Sequence, residues 1–148
     1  MRHLLDVNLL VALIDPDHAH TNAAHKWWVE IGKSGWASCP LTENGAIRIL
    51  SNPNYSSTHR FTPKFLIGKL QGFVERYDHE FWSDDLSLRD ENVFVTEMIY
   101  GPRQITDIYL LALATKHRGC FVTMDARIPT SAVANVKSNS LFVIDTSD

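Results

Sequence analysis

Four acidic residues, Asp6, Glu43, Asp107 and Asp125, stand where apolar runs and helix-forming stretches meet. Asp6 follows "RHLL", Glu43 lies early in "LTENGAIRIL", Asp107 opens the long apolar stretch "ITDIYLLALATKHRG", and Asp125 follows "CFVTM". Carboxylates are hard oxygen donors. Several gathered in one place suit Mg²⁺ or Mn²⁺ far better than zinc, and would otherwise repel one another and resist ionisation. Taken singly, each acid is explained as an ordinary first-turn or cap residue. Their chemistry depends on whether the chain brings them together.

Spacing says that it does. A helix from Asp107 to Arg118 advances roughly 17 Å, and an extended run from Cys120 to Asp125 returns roughly the same distance. Asp107 and Asp125 therefore come back level. Asp6, where a first strand hands over to its helix, and Glu43, in the first turn after a second strand, map to the same edge. In open α/β sheets that edge, at the carboxyl ends of the strands, is where ligands bind.

The elements that must position these acids alternate along the chain. "RHLL", "GWASCP", "HEFW", "CFVTM" and "LFVID" read as strands. "VNLLVALID" reads as a helix stopped by Pro16. The segment from His18 to Lys33 carries Ala19, Ala23, Trp27 and Ile31 at helical spacing and ends at Gly32 and Gly35. "LTENGAIRIL" follows, with Thr42 as N-cap; Thr62 and Pro63 then open a helix through about Arg76. The helix from Ile105 is apolar on nearly every side and closes at Gly119. Strands alternating with helices, several of them continuously apolar, predict an α/β layered fold with a mostly parallel sheet.

Composition narrows the function further. With 148 residues, 45% of them hydrophobic, the expectation is one domain spanning 1–148 around a sizeable core. The net charge of −3 supplies no global attraction for nucleic acid or anionic membrane, so such binding would need a local basic patch or bound cations. Cys39 and Cys120 each sit in an apolar run, as reduced core thiols do, and the cytoplasm is the compartment this implies. "LLDVNLLVALID" is broken by Asp6 and Asn8 and does not read as a signal peptide, and no apolar run is long enough for a membrane span.

At the four acids the chain resembles the PIN-domain ribonucleases, and among them the VapC-type toxins of toxin–antitoxin modules. The resemblance spans almost the whole chain. It rests on "LLDVNLLVALID", "CPLTENGAIRILSNP", "QITDIYLLALA" and "VTMDARI", in the family's order and approximate spacing. It implies a PIN-like three-layer sandwich and an acidic quartet, Asp6, Glu43, Asp107 and Asp125, that binds Mg²⁺ or Mn²⁺, supported by Asn8 and Thr106. It also implies metal-dependent cleavage of RNA, a homodimer, and a cognate antitoxin that blocks the site. Two other classes gather acids similarly: a phospho-acceptor signalling domain, which would want a strand-end Lys not visible here, and a degenerate partner-binding module, which would be expected to have lost an acid.

Three further stretches invite a functional reading beside a plain one. "DPDHAHTNAAH" brings His18, His20 and His25 near Asp15 and Asp17, but matches no standard zinc spacing and is read as a loop and helix start. "YSSTHRFTPKF" interleaves basic and aromatic groups, so Arg60 and Lys64 are candidates for an RNA backbone; an ordinary loop entering a helix explains it equally. Trp27 and Trp28 are adjacent on a helix, which predicts one in the core and the other partly exposed.

Overall fold

The computed structural model describes residues 1–147. Five short strands, β1 (His3–Leu5), β2 (Trp36–Ser38), β3 (His79–Phe81), β4 (Cys120–Thr123) and β5 (Leu141–Val143), form one sheet in the order β3-β2-β1-β4-β5. Every pairing is parallel. The predicted strands are all present. Parallel neighbours need crossover connections, and the helices provide them: α1 (Val7–Ile14), α2 (Thr21–Glu30), α3 (Pro40–Ser51), α4 (Pro63–Arg76) and α5 (Ile105–Lys116).

Successive strand residues point to opposite faces, and this divides the core in two. Leu5, Trp36, Cys120 and Val122 join the buried residues of α1 to α4 on one side. Leu4, Ala37 and Phe121 join α5, Phe94, Ile128, Ala132 and Val133 on the other. This is the three-layer sandwich that the resemblance implied. Both layers cover the sheet, which is why β1 and β4 carry unbroken apolar runs rather than alternating ones. Burial pushes the Cys39 and Cys120 thiols up to about 11, and both are free, as expected of core thiols.

Three local expectations are corrected. The helix expected from His18 begins only at Thr21, because Asp15 to His20 forms turns: the Asp15 carboxylate accepts from the Asp17 N–H at 3.0 Å. Its buried face is Ala24, Trp27 and Trp28, with Ala19 exposed and Ile31 40% exposed. Both tryptophans are buried, since α2 lies between two surfaces: Trp27 meets His3 of β1, while Trp28 meets Trp36, Phe73 and Tyr77 edge-on. Thr42 is not the N-cap of α3; Cys39 is, with Pro40 in the first helical position. Thr42 instead reaches back, its Oγ1 accepting from the Cys39 N–H at 3.0 Å. The expected cap at Thr62 is present, its hydroxyl accepting from the Phe65 N–H at 3.2 Å.

Two glycines set how closely the elements approach. A Cβ on Gly45 would lie 2.9 Å from Val7 Cγ2, so α3 packs hard against the start of α1 only because that position is bare. Gly119 does not supply the left-handed residue after α5; Arg118 does, with φ of 55°. A Cβ on Gly119 would lie 2.7 Å from the Arg2 carbonyl oxygen, so the glycine is needed for β4 to enter beside β1.

Candidate active site

Asp6 is the hinge of the site. It ends β1 and caps α1, its Oδ1 accepting from the Val7 N–H at 2.7 Å. Its Oδ2 accepts from Thr123 Oγ1, also at 2.7 Å, and Thr123 Oγ1 in turn accepts from the Asp125 N–H at 3.0 Å. The ends of the adjacent strands β1 and β4 are thereby tied through one hydroxyl. Asp6 is only 3% exposed, and burial raises its carboxyl above the ordinary range, against the bonds from Thr123 and Val7.

Asp107, in the first turn of α5, lies near enough to Asp6 and Asp125 for their charges to act on it. Its burial, followed by the charges of Asp6 and Asp125, pushes its carboxyl up to about 6. Asp125 moves the other way. Arg127 donates to it from Nε at 3.1 Å and from its backbone N–H at 2.9 Å, holding the carboxyl below the usual range. Sequence reasoning did not single out Arg127 as a partner of this acid. Its signal was local, an arginine two residues after the acid in "MDAR".

Glu43 stands at the same end of the sheet, in the first turn of α3, but its carboxylate is engaged elsewhere. Ser38, the last residue of β2, donates from Oγ to Glu43 Oε2 at 2.5 Å, and the same Oγ lies 2.8 Å from His79 Nε2 on β3. His3, three residues before Asp6, turns instead to the Gly35 carbonyl, and it is His79 of β3 that reaches the serine beside Glu43. His79 is half-buried against the Trp36 ring, and burial, then Arg2, pushes its pKa down. Arg2 braces this edge of the sheet, donating from Nη1 to the Trp36 and Asp78 carbonyls at 3.1 Å each.

The other candidates are placed as follows. Asn8 and Thr106 are exposed near Asp6 and Asp107, and no hydrogen bond ties them to the acids among the described residues. Arg60 donates from Nη1 to the Pro53 and Ser56 carbonyls, at 2.9 and 2.8 Å, and so clamps its own loop. Tyr55 and His59 of that loop are bound to Asp15 and Asp17. Lys64 is exposed in the first turn of α4. His25 Nε2 bonds the Leu13 carbonyl at 3.1 Å, and His18 Nδ1 accepts from the His20 N–H at 3.0 Å, which are loop and helix contacts. Asp84 caps α3, accepting from the Leu41 N–H at 2.9 Å, and Asp85 pairs with Lys116.

As the side chains stand, no three His, Cys, Asp or Glu converge tightly enough to hold an ion, among the described residues. The donor chemistry nevertheless fits one. Asp6, Asp107 and Asp125 are close enough for their charges to resist joint ionisation, which a divalent cation would relieve. Each Asp6 oxygen accepts a single hydrogen bond and retains a lone pair. The Arg127 side chain on Asp125 is 88% exposed and can turn aside.

An all-parallel sheet in this strand order, covered on both faces and carrying acids at its carboxyl edge, defines a PIN-like α/β fold. The crystal structure of VapBC2 from Rickettsia felis bound to a DNA fragment from their promoter matches it with a TM-score of 0.59, over 98% of this chain and 100% of that one, at 15% identity. In sequence, the chain is 41% identical to Ribonuclease VapC44 of Mycobacterium tuberculosis over 95% of its own length and 98% of that protein's. It is 38% identical to Ribonuclease VapC39 of the same organism, over 92% and 97%. No protein-family model matches. The chain belongs to the VapC ribonuclease family.

Proposed function

We propose that this chain is a single-domain, metal-dependent endoribonuclease, the toxin component of a toxin–antitoxin module, cutting RNA phosphodiester bonds at the acidic edge of its sheet. The observation that carries the reading is the meeting of Asp6, Asp107 and Asp125 at one end of the sheet, where burial first, and then the charges of Asp6 and Asp125, lift Asp107 to about 6. Its kinship with VapC44 and VapC39, both ribonucleases, supports RNA as substrate. The likeness to a VapBC2 assembly supports a cognate antitoxin as partner.

In this reading Asp6, Asp107, Asp125 and Glu43 hold Mg²⁺ or Mn²⁺. Such an ion lowers the pKa of a water toward neutrality and offsets charge on the phosphate during in-line displacement. The chain's own residues orient and bind. Thr123 fixes the rotamer of Asp6, and Arg127 neutralises Asp125 until the site is loaded. Asn8 and Thr106 offer exposed polar groups beside the acids. Lys64, and Arg60 through its Nε and Nη2, supply cations for neighbouring phosphates, since a net charge of −3 offers no general attraction. Val29, Phe65 and Ile67, all around half-exposed on α2 and α4, present apolar surface suited to a partner protein. A homodimer belongs to the same reading. So does a cytoplasmic location; no helix among the described residues is long and apolar enough to cross a membrane.

The test is incubation of the purified protein with total RNA, with Mg²⁺ or Mn²⁺ and with a chelator, followed by mapping of the ends. Cuts bearing 5′-phosphate and 3′-hydroxyl groups, only when metal is present, are expected. Equal cleavage in chelator would remove the metal reading.

A further inference from the structure

Glu43 differs from the other three acids in the way it is held. Its Oε2 takes a 2.5 Å bond from Ser38 Oγ, and that hydroxyl is 2.8 Å from His79 Nε2. A serine hydroxyl carries one proton, and here it is Ser38 that donates to Glu43. The Ser38 proton therefore points to Glu43, and His79 must bring an N–H of its own to Ser38. The direction of both bonds follows from counting protons. We propose that His79, acting through Ser38, is a positioning residue for Glu43, the donor chain from Nε2 to Oγ to Oε2 fixing the carboxylate in one rotamer at the end of the sheet where the other acids stand.

The surroundings favour a fixed rather than an incidental arrangement. Ser38 is fully buried at the end of β2, and the Trp82 N–H donates to its carbonyl at 2.9 Å. The His79 ring lies 4.3 Å from the Trp36 ring, and its strand is pinned by Arg2 through Asp78 and Glu80. Glutamate otherwise has freely turning torsions whose ordering costs free energy when a ligand binds. A hydroxyl rotor alone would not remove that freedom, but one held by a second donor does. Partners behind a ligating carboxylate commonly change metal affinity 10- to 100-fold when removed.

This inference rests on the metal reading of the acidic cluster, and its test separates the two. Mn²⁺ is titrated calorimetrically into wild type, Ser38→Ala, His79→Phe, which keeps a ring against Trp36, and His79→Gln, which keeps an N–H donor. Folding is checked by circular dichroism, and ¹⁵N NMR of the apo protein reads the His79 tautomer. His79→Phe and Ser38→Ala should each bind Mn²⁺ about tenfold more weakly, with His79→Gln near wild type. The double variant Ser38→Ala/His79→Phe should bind no more weakly than Ser38→Ala, because the two act in series. The apo ring should carry its proton on Nε2. Should His79→Phe not fold, Ser38→Thr binding like wild type beside a weakened Ser38→Ala carries the same test. A proton on Nδ1, wild-type affinity in His79→Phe or Ser38→Ala, or additive losses in the double variant overturns the inference alone. Wild-type protein that binds no Mn²⁺ removes the metal reading and this inference with it.

Discussion

Thr123 Oγ1 and Asp6 Oδ2, separated by 117 positions of sequence, are 2.7 Å apart in a buried hydrogen bond. The bond joins the ends of two adjacent parallel strands, and through the Asp125 N–H it links two of the four acids. A buried carboxylate needs such donors to remain charged, and Thr123 is one of two that Asp6 has.

Replacing Thr123 by valine keeps the shape and removes the donor. A hydrogen bond to a charged group contributes roughly 1.5–3 kcal/mol, so Thr123→Val should lower the melting temperature by several degrees. It should also raise the Asp6 carboxyl further and weaken Mn²⁺ binding. A thermal melt and a calorimetric titration measure the two effects, and an unchanged Mn²⁺ affinity would detach Thr123 from the site.

Asp107→Asn should separate stability from function. The substitution removes a repelling charge from a half-buried place, so the apo protein at neutral pH should gain roughly 1 kcal/mol, discounted for partial solvent exposure. Cleavage of RNA should be abolished. Asp6→Asn should abolish it too, while leaving a folded protein. Metal-dependent cleavage at wild-type rate in both would remove the acidic site as the seat of the reaction.

The raised Asp107 carboxyl also sets a pH dependence. Its folded value of about 6 lies above the unfolded one, so the folded protein binds more protons between them. The stability this group contributes to the apo protein is therefore present at low pH and lost as pH rises through 6. Protons and Mn²⁺ compete for the same oxygens. The rise in melting temperature on adding millimolar Mn²⁺ should be small at about pH 5 and larger at about pH 7.5. Scanning fluorimetry at the two pH values checks this, and equal shifts would exclude Asp107 as a ligand.

Binding of RNA should respond differently to Lys64 and Arg60. Lys64→Ala should weaken binding and flatten its salt dependence by about 0.7 in slope, one phosphate's share for a single strand, leaving Mn²⁺ affinity unchanged. Arg60→Ala should do the same and also loosen the loop that its Nη1 clamps, lowering the melting temperature. If the double variant keeps the wild-type salt slope, the loop is structural.

Much of this molecule was legible in the order of residues alone. Apolar runs such as "CFVTM" and the helical stretch from Ile105 announce buried strands and helices because backbone periodicity is a local property. The acids at their junctions announce one sheet edge because parallel crossovers must return the chain to the same side. Local reading failed where two packing surfaces compete for one helix, as at Trp27 and Trp28, or where the backbone makes turns before a helix, as from Asp15 to His20. Which partner each acid takes was decided only in three dimensions. Thr123 reaches Asp6 because β4 pairs beside β1, and His79 reaches Ser38 because β3 pairs beside β2 with Ser38 opposite Phe81. Hydrogen bonds act over about 3 Å, and the register between strands far apart in sequence determines which side chains come that close.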